Sequence, residues 1–184
     1  MSNAKMNQLL GLILAATLLT IVAGCSKQSP RESDNATKNT SAMGDSKNIY
    51  QEGVEAYQAG KFSDAADKFR QLAEQGDAIA QFNLGSMYRQ GQGVQQDDKQ
   101  AVAWWTKAAE QGHTDAQDNL GLRYAKGEGV EQDWVQAYKW FSIAGMNKNE
   151  SAAVNAKVAA GKMAPEKIEQ AQNLAKEWLV QHKK

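Results

Sequence analysis

The chain has 184 residues, of which 21 are basic and 21 acidic, so its formal net charge at pH 7 is zero. This balance does not favour nucleic-acid binding, which usually needs a basic footprint, or electrostatic attachment to anionic lipid. The chain holds one cysteine and two histidines, and it contains no zinc motif, nucleophile elbow or paired cysteine–histidine set. We therefore predict no catalytic residues, no metal site and no cofactor.

Residues 1–24 have the pattern of a secretory signal peptide. Lys5 supplies a positive charge, and residues 9–24 form an uncharged run rich in Leu, Ile and Ala, shorter than the ~20 residues that span a bilayer. The run ends in the letters VAGC, with Cys25 last, and this ending resembles the bacterial lipobox. The resemblance implies cleavage before Cys25, lipid attachment to its thiol and a stable membrane anchor.

Residues 25–46 are predicted to be the lipidated Cys25 followed by a disordered tether. Ser26 stands where inner-membrane lipoproteins of enterobacteria have Asp, which by analogy implies the outer membrane, with the protein facing the periplasm. Residues 26–46 are rich in Ser and contain no aromatic residue, so they bury too little apolar surface to offset their ordering entropy. As a flexible coil, such a tether spans about 25 Å.

Residues 47–77 are predicted to form a degenerate, tetratricopeptide-like helix pair, because their spacing follows that of the next segment. If four loop residues are missing, Gly53, Ala65, Phe69, Ala73 and Gly76 fall where Gly85, Ala101, Trp105, Ala109 and Gly112 fall.

Residues 78–113 and 114–149 contain the same unit, repeated at an offset of 36 residues. Eleven residues of the first unit recur in the second at that offset: Ala80, Leu84, Gly85, Tyr88, Gly91, Gly93, Val94, Asp97, Ala101, Trp104 and Ala108. A repeat of this period is typical of a solenoid of stacked helix pairs, which offers an extended groove to another molecule.

Each long unit predicts a first helix followed by a glycine turn. In the first helix, Leu84, Gly85 and Tyr88 share one face, and Gly85 lets a neighbouring helix approach closely because it has no Cβ atom. The letters GQGV at 91–94, echoed by GEGV at 127–130, predict the turn that ends this helix, with the valine packed back onto the helix pair. A phosphate-binding loop is disfavoured because a third glycine, a Lys–Ser/Thr pair and a preceding strand are missing.

Asp97 and Asp133 are predicted to begin the second helices as N-caps. Each is followed three residues later by a glutamine, Gln100 or Gln136, which would complete a capping box. A metal or acid–base role for the two acids is the alternative.

The second helices carry small and aromatic residues at offsets 0, 3, 4, 7 and 8 from Ala101 and Ala137, which make one apolar stripe. The stripe includes Trp104, Trp105 and Trp140, so it could form a sugar-stacking platform. We predict that it is core, because the alternation of small and large residues lets helices interlock.

The unit A-x-x-x-L-G-x-x-Y-x-x-G-x-G-V-x-x-D-x-x-x-A-x-x-W-x-x-x-A resembles the Sel1-like repeat, a relative of the tetratricopeptide repeat. The resemblance implies an all-α fold, an α-solenoid of stacked antiparallel helix pairs. Residues 150–184 are then predicted to be C-terminal capping helices: one over residues 151–160, and one from Pro165 that lacks a side-chain cap because Ala164 precedes it. Its predicted buried side is Ile168, Ala171, Leu174, Ala175, Trp178 and Leu179.

The resemblance also implies a function, since in tetratricopeptide-like stacks the first helices line a concave groove. The predicted groove residues are Tyr50, Val54, Tyr57, Phe82, Asn83, Ser86, Arg89, Asn119, Leu122 and Lys126. Aromatic, amide and arginine side chains suit an extended protein or peptide partner, which favours a membrane-anchored adaptor or scaffold of the cell envelope. Tyr50 and Phe82 could instead simply complete the packing between units.

The alternative function is a periplasmic enzyme or glycan-binding protein acting on the cell wall. Only Asp115 and Asp118 supply acids to the predicted groove, and Asp115 lies at a helix start where a capping or dipole role suffices. Some secreted relatives have been credited with penicillin hydrolysis, but they are rich in disulfide-forming cysteines, which this chain lacks.

Overall fold

The computed structural model describes residues 33–182, with side chains from residue 45 onward, and these residues contain eight helices and no strand. The helices are α1 Ser33–Gln58, α2 Phe62–Glu74, α3 Ala78–Gln90, α4 Asp98–Glu110, α5 Thr114–Lys126, α6 Trp134–Met146, α7 Glu150–Ala160 and α8 Pro165–Gln181. The stack described below lies within residues 38–184, which form one compact unit. The predicted signal peptide, Cys25 and residues 26–32 lie outside the described residues.

No helix within residues 33–182 is long and apolar enough to cross a membrane.

Successive helices pack as antiparallel pairs, α3 with α4 and α5 with α6. Side-chain contacts pair α1 with α2 in the same way, since Tyr50 packs on Phe69 and Tyr57 on Phe62. This arrangement confirms the predicted all-α solenoid. In the first pair three residues connect the helices, whereas the second and third pairs use seven. The difference is the four loop residues that the sequence of the degenerate unit lacks.

Glycines in the first helices allow the two helices of each pair to interlock, as predicted. A Cβ atom on Gly121 would lie 2.6 Å from Cδ1 of Phe141, and one on Gly85 would lie 2.8 Å from Cδ1 of Trp105. Gly53 has the same relation to Phe69, at 3.0 Å from Cε1. Each aromatic ring therefore occupies the space that a side chain on its partner helix would need.

The glycine turns join neighbouring units as well as ending the first helices. Gly91 and Gly127 close α3 and α5 in the left-handed conformation, with φ of 67° and 72°. Gly93 and Gly129 lie against the start of the preceding unit's second helix, where a Cβ atom would overlap the backbone carbonyls of Phe62 and Asp98. The valines that follow were predicted to pack back onto the helix pair. Val94 packs against a buried cluster shared by α2 and α3, and Val130 against one shared by α4, α5, α6 and α8.

The N-caps of the second helices are confirmed, but the capping boxes are not. Asp97 accepts hydrogen bonds from the backbone N–H groups of Lys99 and Gln100 at 2.9 and 3.0 Å. In a capping box the Gln100 side chain would return a bond to the Asp97 N–H, but that N–H donates to the carbonyl of Tyr88 at 2.9 Å. Asp133 repeats this arrangement with Tyr124, because the turn folds back onto the end of the first helix.

The predicted tether differs from the structure over residues 33–46, where α1 has already begun. A helix that is nucleated by its packed portion extends at the modest cost of one ordered residue per hydrogen bond. The packed portion starts near Ile49 and Tyr50, which contact the core of the first pair. The prediction of a disordered tether, which rested on composition, is therefore wrong for residues 33–46, where the structure has helix.

The C-terminal helices match the prediction, and α8 lies across the second-helix side of the stack. Trp178 joins the core formed by α4 and α6, with its ring 6.0 Å from that of Trp140 and its indole N–H donating to Glu110 at 2.7 Å. Ala171 and Ala175 are also buried, whereas the other three predicted positions are half-buried. Ala164 provides no side-chain cap, as expected.

Candidate ligand-binding face

The first helices α1, α3, α5 and α7 lie side by side and form one surface, here called the first-helix face. Direct contacts join each to the next: Asn83 donates to the Tyr50 hydroxyl at 3.4 Å, and Phe82 stacks on His113 with ring centroids 4.6 Å apart. Between α5 and α7, Asn155 donates to Asp118 at 3.5 Å. The opposite side of the stack carries α8, which packs on α4 and α6.

A cleft of about 480 Å³ opens on this face between α1 and α3. Six of the predicted groove residues line it together: Tyr50, Val54, Tyr57, Phe82, Asn83 and Ser86. Four further lining residues were not predicted: Gln58, Phe69, Met87 and Gln92. Phe69 and Met87 are buried core residues that also line the cleft.

The cleft walls combine aromatic rings with amide groups. Tyr50 packs on Phe69 with centroids 5.7 Å apart, so Tyr50 completes core packing and lines the cleft at the same time. Tyr57 donates its hydroxyl hydrogen to Gln92 at 2.7 Å, which links the end of α1 to the turn after α3. Aromatic surface beside amide donors and acceptors is what an apolar side chain and its adjoining peptide groups require.

The other four predicted residues lie away from this cleft. Leu122 packs against the core around α6, and Lys126 is exposed in the last turn of α5. Arg89 lines a separate polar cavity at the turn edge of the stack, together with Arg123 and Glu128. Arg89 lies in the last turn of α3, about two turns beyond Phe82 and next to the glycine turn.

Arg123 is a buried charge that the sequence did not reveal. Its side chain is 4% exposed and forms an ion pair with Glu128, while burial lowers the pKa of its guanidinium. Its Nε atom has no hydrogen-bond partner within the described residues. The equivalent position 36 residues earlier is Met87, and the helical pattern predicts an apolar residue there. Arg123 and Glu128 together tie the end of α5 to its own turn.

Two buried glutamines connect successive pairs and were also missed. Gln81 donates to the carbonyl of Ala73 at 3.0 Å, and Gln117 donates to that of Ala109 at 3.1 Å. Each adds a second donor to a carbonyl near the end of the preceding helix, which also accepts from the N–H of Gly76 or Gly112 in the turn. The signal was present, because the two glutamines are 36 residues apart like the rest of the repeat.

Asparagines recur along the first-helix face at the same period. Asn83, Asn119 and Asn155 are each separated by 36 residues and are all half-buried. Asn83 and Asn155 each form a hydrogen bond to the preceding first helix: Asn83 to Tyr50 on α1, and Asn155 to Asp118 on α5. Among residues 45–182, the carboxamide of Asn119 has no protein hydrogen-bond partner. At the same repeat position as Tyr50 and Asp118, the first helix before Asn119 carries Phe82, whose side chain can neither donate nor accept a hydrogen bond.

Asp118 is a half-buried carboxylate on this face. Its oxygens accept hydrogen bonds from the Ser151 hydroxyl at 3.3 Å and from the Asn155 carboxamide at 3.5 Å. Burial raises the pKa of the Asp118 carboxyl above its ordinary value, and these two donors only partly oppose that effect.

His113 and the buried tryptophans have structural roles. His113 caps α5 by accepting from the Ala116 N–H at 3.3 Å, a role that the sequence left to acids, and burial lowers its pKa. Trp105 and Trp140 are buried core residues, which confirms the prediction for two of the three tryptophans of the stripe. Trp104 is half-buried, and the ammonium group of Lys107 lies 4.0 Å from its ring centroid. Within residues 45–182, no group of three His, Cys, Asp or Glu side chains is placed to hold a metal ion.

The two long units match a known repeat family. The Sel1 repeat model matches residues 78–113 and 114–149, the same residues as the two long units. The chain contains two Sel1 repeats. Sel1 repeat proteins are generally non-catalytic scaffolds for protein interactions.

Solved structures of other Sel1 repeat proteins have the same architecture. A protective antigen present in uropathogenic Escherichia coli strains, which displays an SLR fold, is 34% identical with a TM-score of 0.71 over 79% of this chain. A Sel1 repeat protein from Oxalobacter formigenes is 30% identical with a TM-score of 0.58 over 70% of this chain. The present chain covers 32% and 55% of those two proteins, respectively. Among curated proteins, no sequence matches this chain.

Proposed function

We propose that this Sel1-repeat protein is a membrane-anchored adaptor of the bacterial cell envelope, which holds a protein or peptide segment in the cleft between α1 and α3. The observation that carries the proposal is the convergence of six predicted groove residues on one open cleft of about 480 Å³. This volume lies within the roughly 300–1,000 Å³ of ordinary ligand pockets, so the choice of a peptide rests on the chemistry of the lining residues.

The chemistry of the cleft supports a peptide more than a charged metabolite. Its lining residues are aromatic, aliphatic or neutral polar, and none is ionised at neutral pH. The carboxamides of Asn83 and Gln92 and the rings of Tyr50 and Phe82 all line it. A buried aromatic pocket rimmed by polar groups is the arrangement that concentrates binding energy in protein interfaces.

The anchor rests on the sequence ending at Cys25 and on Ser26. In this proposal the lipidated Cys25 holds the helical stack at the outer membrane, facing the periplasm. Cys25→Ala removes the acceptor thiol, so the variant should fail to incorporate radiolabelled palmitate and should leave the membrane fraction. Palmitate labelling of the Cys25→Ala protein equal to wild type would contradict the anchor without affecting the cleft.

A pair of tryptophan substitutions tests the cleft. Ser86→Trp places an indole in the cleft from its α3 wall, whereas Ala103→Trp adds the same side chain to an exposed position on α4, in the second-helix layer. Both proteins are compared with wild type by chemical cross-linking in intact cells, followed by mass spectrometry of the attached proteins. Circular dichroism checks that both variants remain helical.

The adaptor proposal predicts that Ser86→Trp loses most of the cross-linked partner, at least about tenfold for a hot-spot contact, while Ala103→Trp keeps it. Equal loss in both variants would assign the effect to stability or to another surface. Undiminished capture by a folded Ser86→Trp protein would refute the cleft as the binding site.

A further inference from the structure

Asp118 carries a charge that the repeat does not need. The equivalent positions 36 residues before and after it are Phe82 and Val154, which are both uncharged. The fold therefore accepts an apolar residue at this place on the first-helix face. The carboxylate of Asp118 therefore either serves a function other than folding or lowers the stability of the protein.

The surroundings of Asp118 supply no cation. The ion pairs within residues 45–182 involve other acids: Glu52, Asp67, Glu128 and Glu110. The donors to Asp118 are neutral and distant, at 3.3 and 3.5 Å, and the neighbouring Asp115 is also acidic. A half-buried carboxylate without a counter-ion is costly, so a cation brought by a ligand would be favourable here.

Asn119 stands beside Asp118 with a carboxamide that no protein group within residues 45–182 engages. A carboxamide offers both a donor and an acceptor, which is what the N–H and C=O of an extended main chain can pair with. Asn83 and Asn155, one unit before and after, continue the same row along the face. An extended chain that crosses the first helices would meet these carboxamides in order.

We propose that the segment bound by the first-helix face is an extended polypeptide that places an apolar side chain in the cleft and a lysine or arginine at Asp118, with Asn119 bonding the main chain between them. This inference rests on the proposed function and states which side chains the bound segment should carry. Asp118 lies one first helix beyond Phe82 and two beyond Tyr50. Neighbouring helices pack about 8–10 Å apart and a strand rises about 3.3 Å per residue, so the apolar and basic residues should be about three to six positions apart.

The probe for this inference is a random dodecapeptide library displayed on phage, selected on the immobilised full-length chain. Parallel selections use Asp118→Asn, Asp115→Asn and Ser86→Trp. Asn at position 118 keeps an oxygen that can accept from Ser151 and Asn155 but removes the charge. Asp115→Asn is the matched control, because it removes an exposed acid from the first turn of the same helix.

Wild type and Asp115→Asn should enrich peptides with an apolar residue and a basic residue at the expected spacing, and Asp118→Asn should lose only the basic preference. The best wild-type peptide should bind Asp118→Asn about fivefold more weakly, the ratio of a modest ion pair. Its counterpart with Gln in place of the basic residue should bind wild type and Asp118→Asn equally.

Two results would overturn the inference, and they are distinguishable. If wild-type enrichment depends on the cleft, as shown by its loss in Ser86→Trp, but is unchanged in Asp118→Asn, then the cleft binds peptides and the role of Asp118 is refuted. If wild type enriches nothing beyond Ser86→Trp, both the inference and the peptide-binding function fail.

Discussion

The close approach at Gly121 makes a quantitative prediction about how the helix pairs are held together. A Cβ atom there would lie 2.6, 2.7 and 3.0 Å from three atoms of the Phe141 ring, which is 2% exposed and has no open space to move into. Gly121→Ala gains about 0.5–1 kcal/mol in helix propensity. Overpacking a well-filled core costs about 1–3 kcal/mol, so we expect a net loss of about 1–2 kcal/mol.

Urea denaturation followed by circular dichroism measures this loss. With a slope of about 1–3 kcal/mol per molar urea, the midpoint of Gly121→Ala should fall by about 0.3–2 M. Gly161→Ala is the control, because Gly161 has a φ of −65° and its nearest neighbour to an added Cβ is a carbonyl at 3.5 Å. That substitution should be neutral or stabilise by up to about 1 kcal/mol.

The partner of Gly121 can be tested in the same series. Phe141→Leu alone leaves a gap and should also destabilise the protein. Combined with Gly121→Ala it should cost less than the sum of the two, because the added methyl group enters space that the smaller side chain vacates. Gly121→Ala as stable as wild type, or strict additivity with Phe141→Leu, would refute the interlocking that we infer.

Three further substitutions test the buried polar groups. Gln117→Leu should lose about 0.5–1.5 kcal/mol in urea denaturation, because it removes the Gln117 hydrogen bond to the Ala109 carbonyl, which then keeps only its bond from the Gly112 N–H. Stability equal to or above wild type would contradict this. Burial lowers the pKa of His113, so the unfolded chain binds a proton at this residue more readily than the folded one does. Wild type should therefore lose stability as the pH falls below about 6.5, and His113→Asn should reduce that loss. Identical profiles of unfolding free energy against pH in the two proteins would contradict this. Burial raises the pKa of Asp118, so its ionised carboxylate destabilises the folded protein above about pH 4. The free energy of unfolding of Asp118→Asn should therefore increase relative to wild type from about pH 4 towards neutrality. A difference between the two proteins that does not change with pH would contradict the raised pKa.

Local signals explain how much of the fold could be predicted. The glycine turns, the aspartate caps and the small–large alternation of the second helices each depend on a few neighbouring residues, and each was repeated at a fixed offset. Two copies of the same pattern fix the position of a helix pair more securely than one. Gly85 was predicted to permit close packing for this reason, and Trp105 lies against it.

Contacts between distant residues limited the rest. The capping boxes failed because Tyr88 and Tyr124 supply acceptors from the preceding helix that no local motif contains. Arg123 could be buried only because Glu128 accompanies it. In both cases a local rule was overridden by a partner that the folded turn brings near.

The candidate site followed the same division. The face of each first helix was predictable from its core positions, since the remaining side must point away. Which residues share one cleft depended on the tilt and separation of α1 and α3, so Arg89 was grouped with a site that it does not line. The row of asparagines was visible in the sequence only after the first helices were known to lie side by side.

Site-specific photo-cross-linking from the cleft tests the central claim most directly. A benzophenone amino acid replaces Ser86 in one protein and Ala103 in another, and both are irradiated in intact cells before mass spectrometry. The account predicts a dominant protein partner attached at position 86 through one extended segment, and no such product at position 103. A partner attached only at position 103, or equally at both positions, would contradict binding in the cleft of the first-helix face.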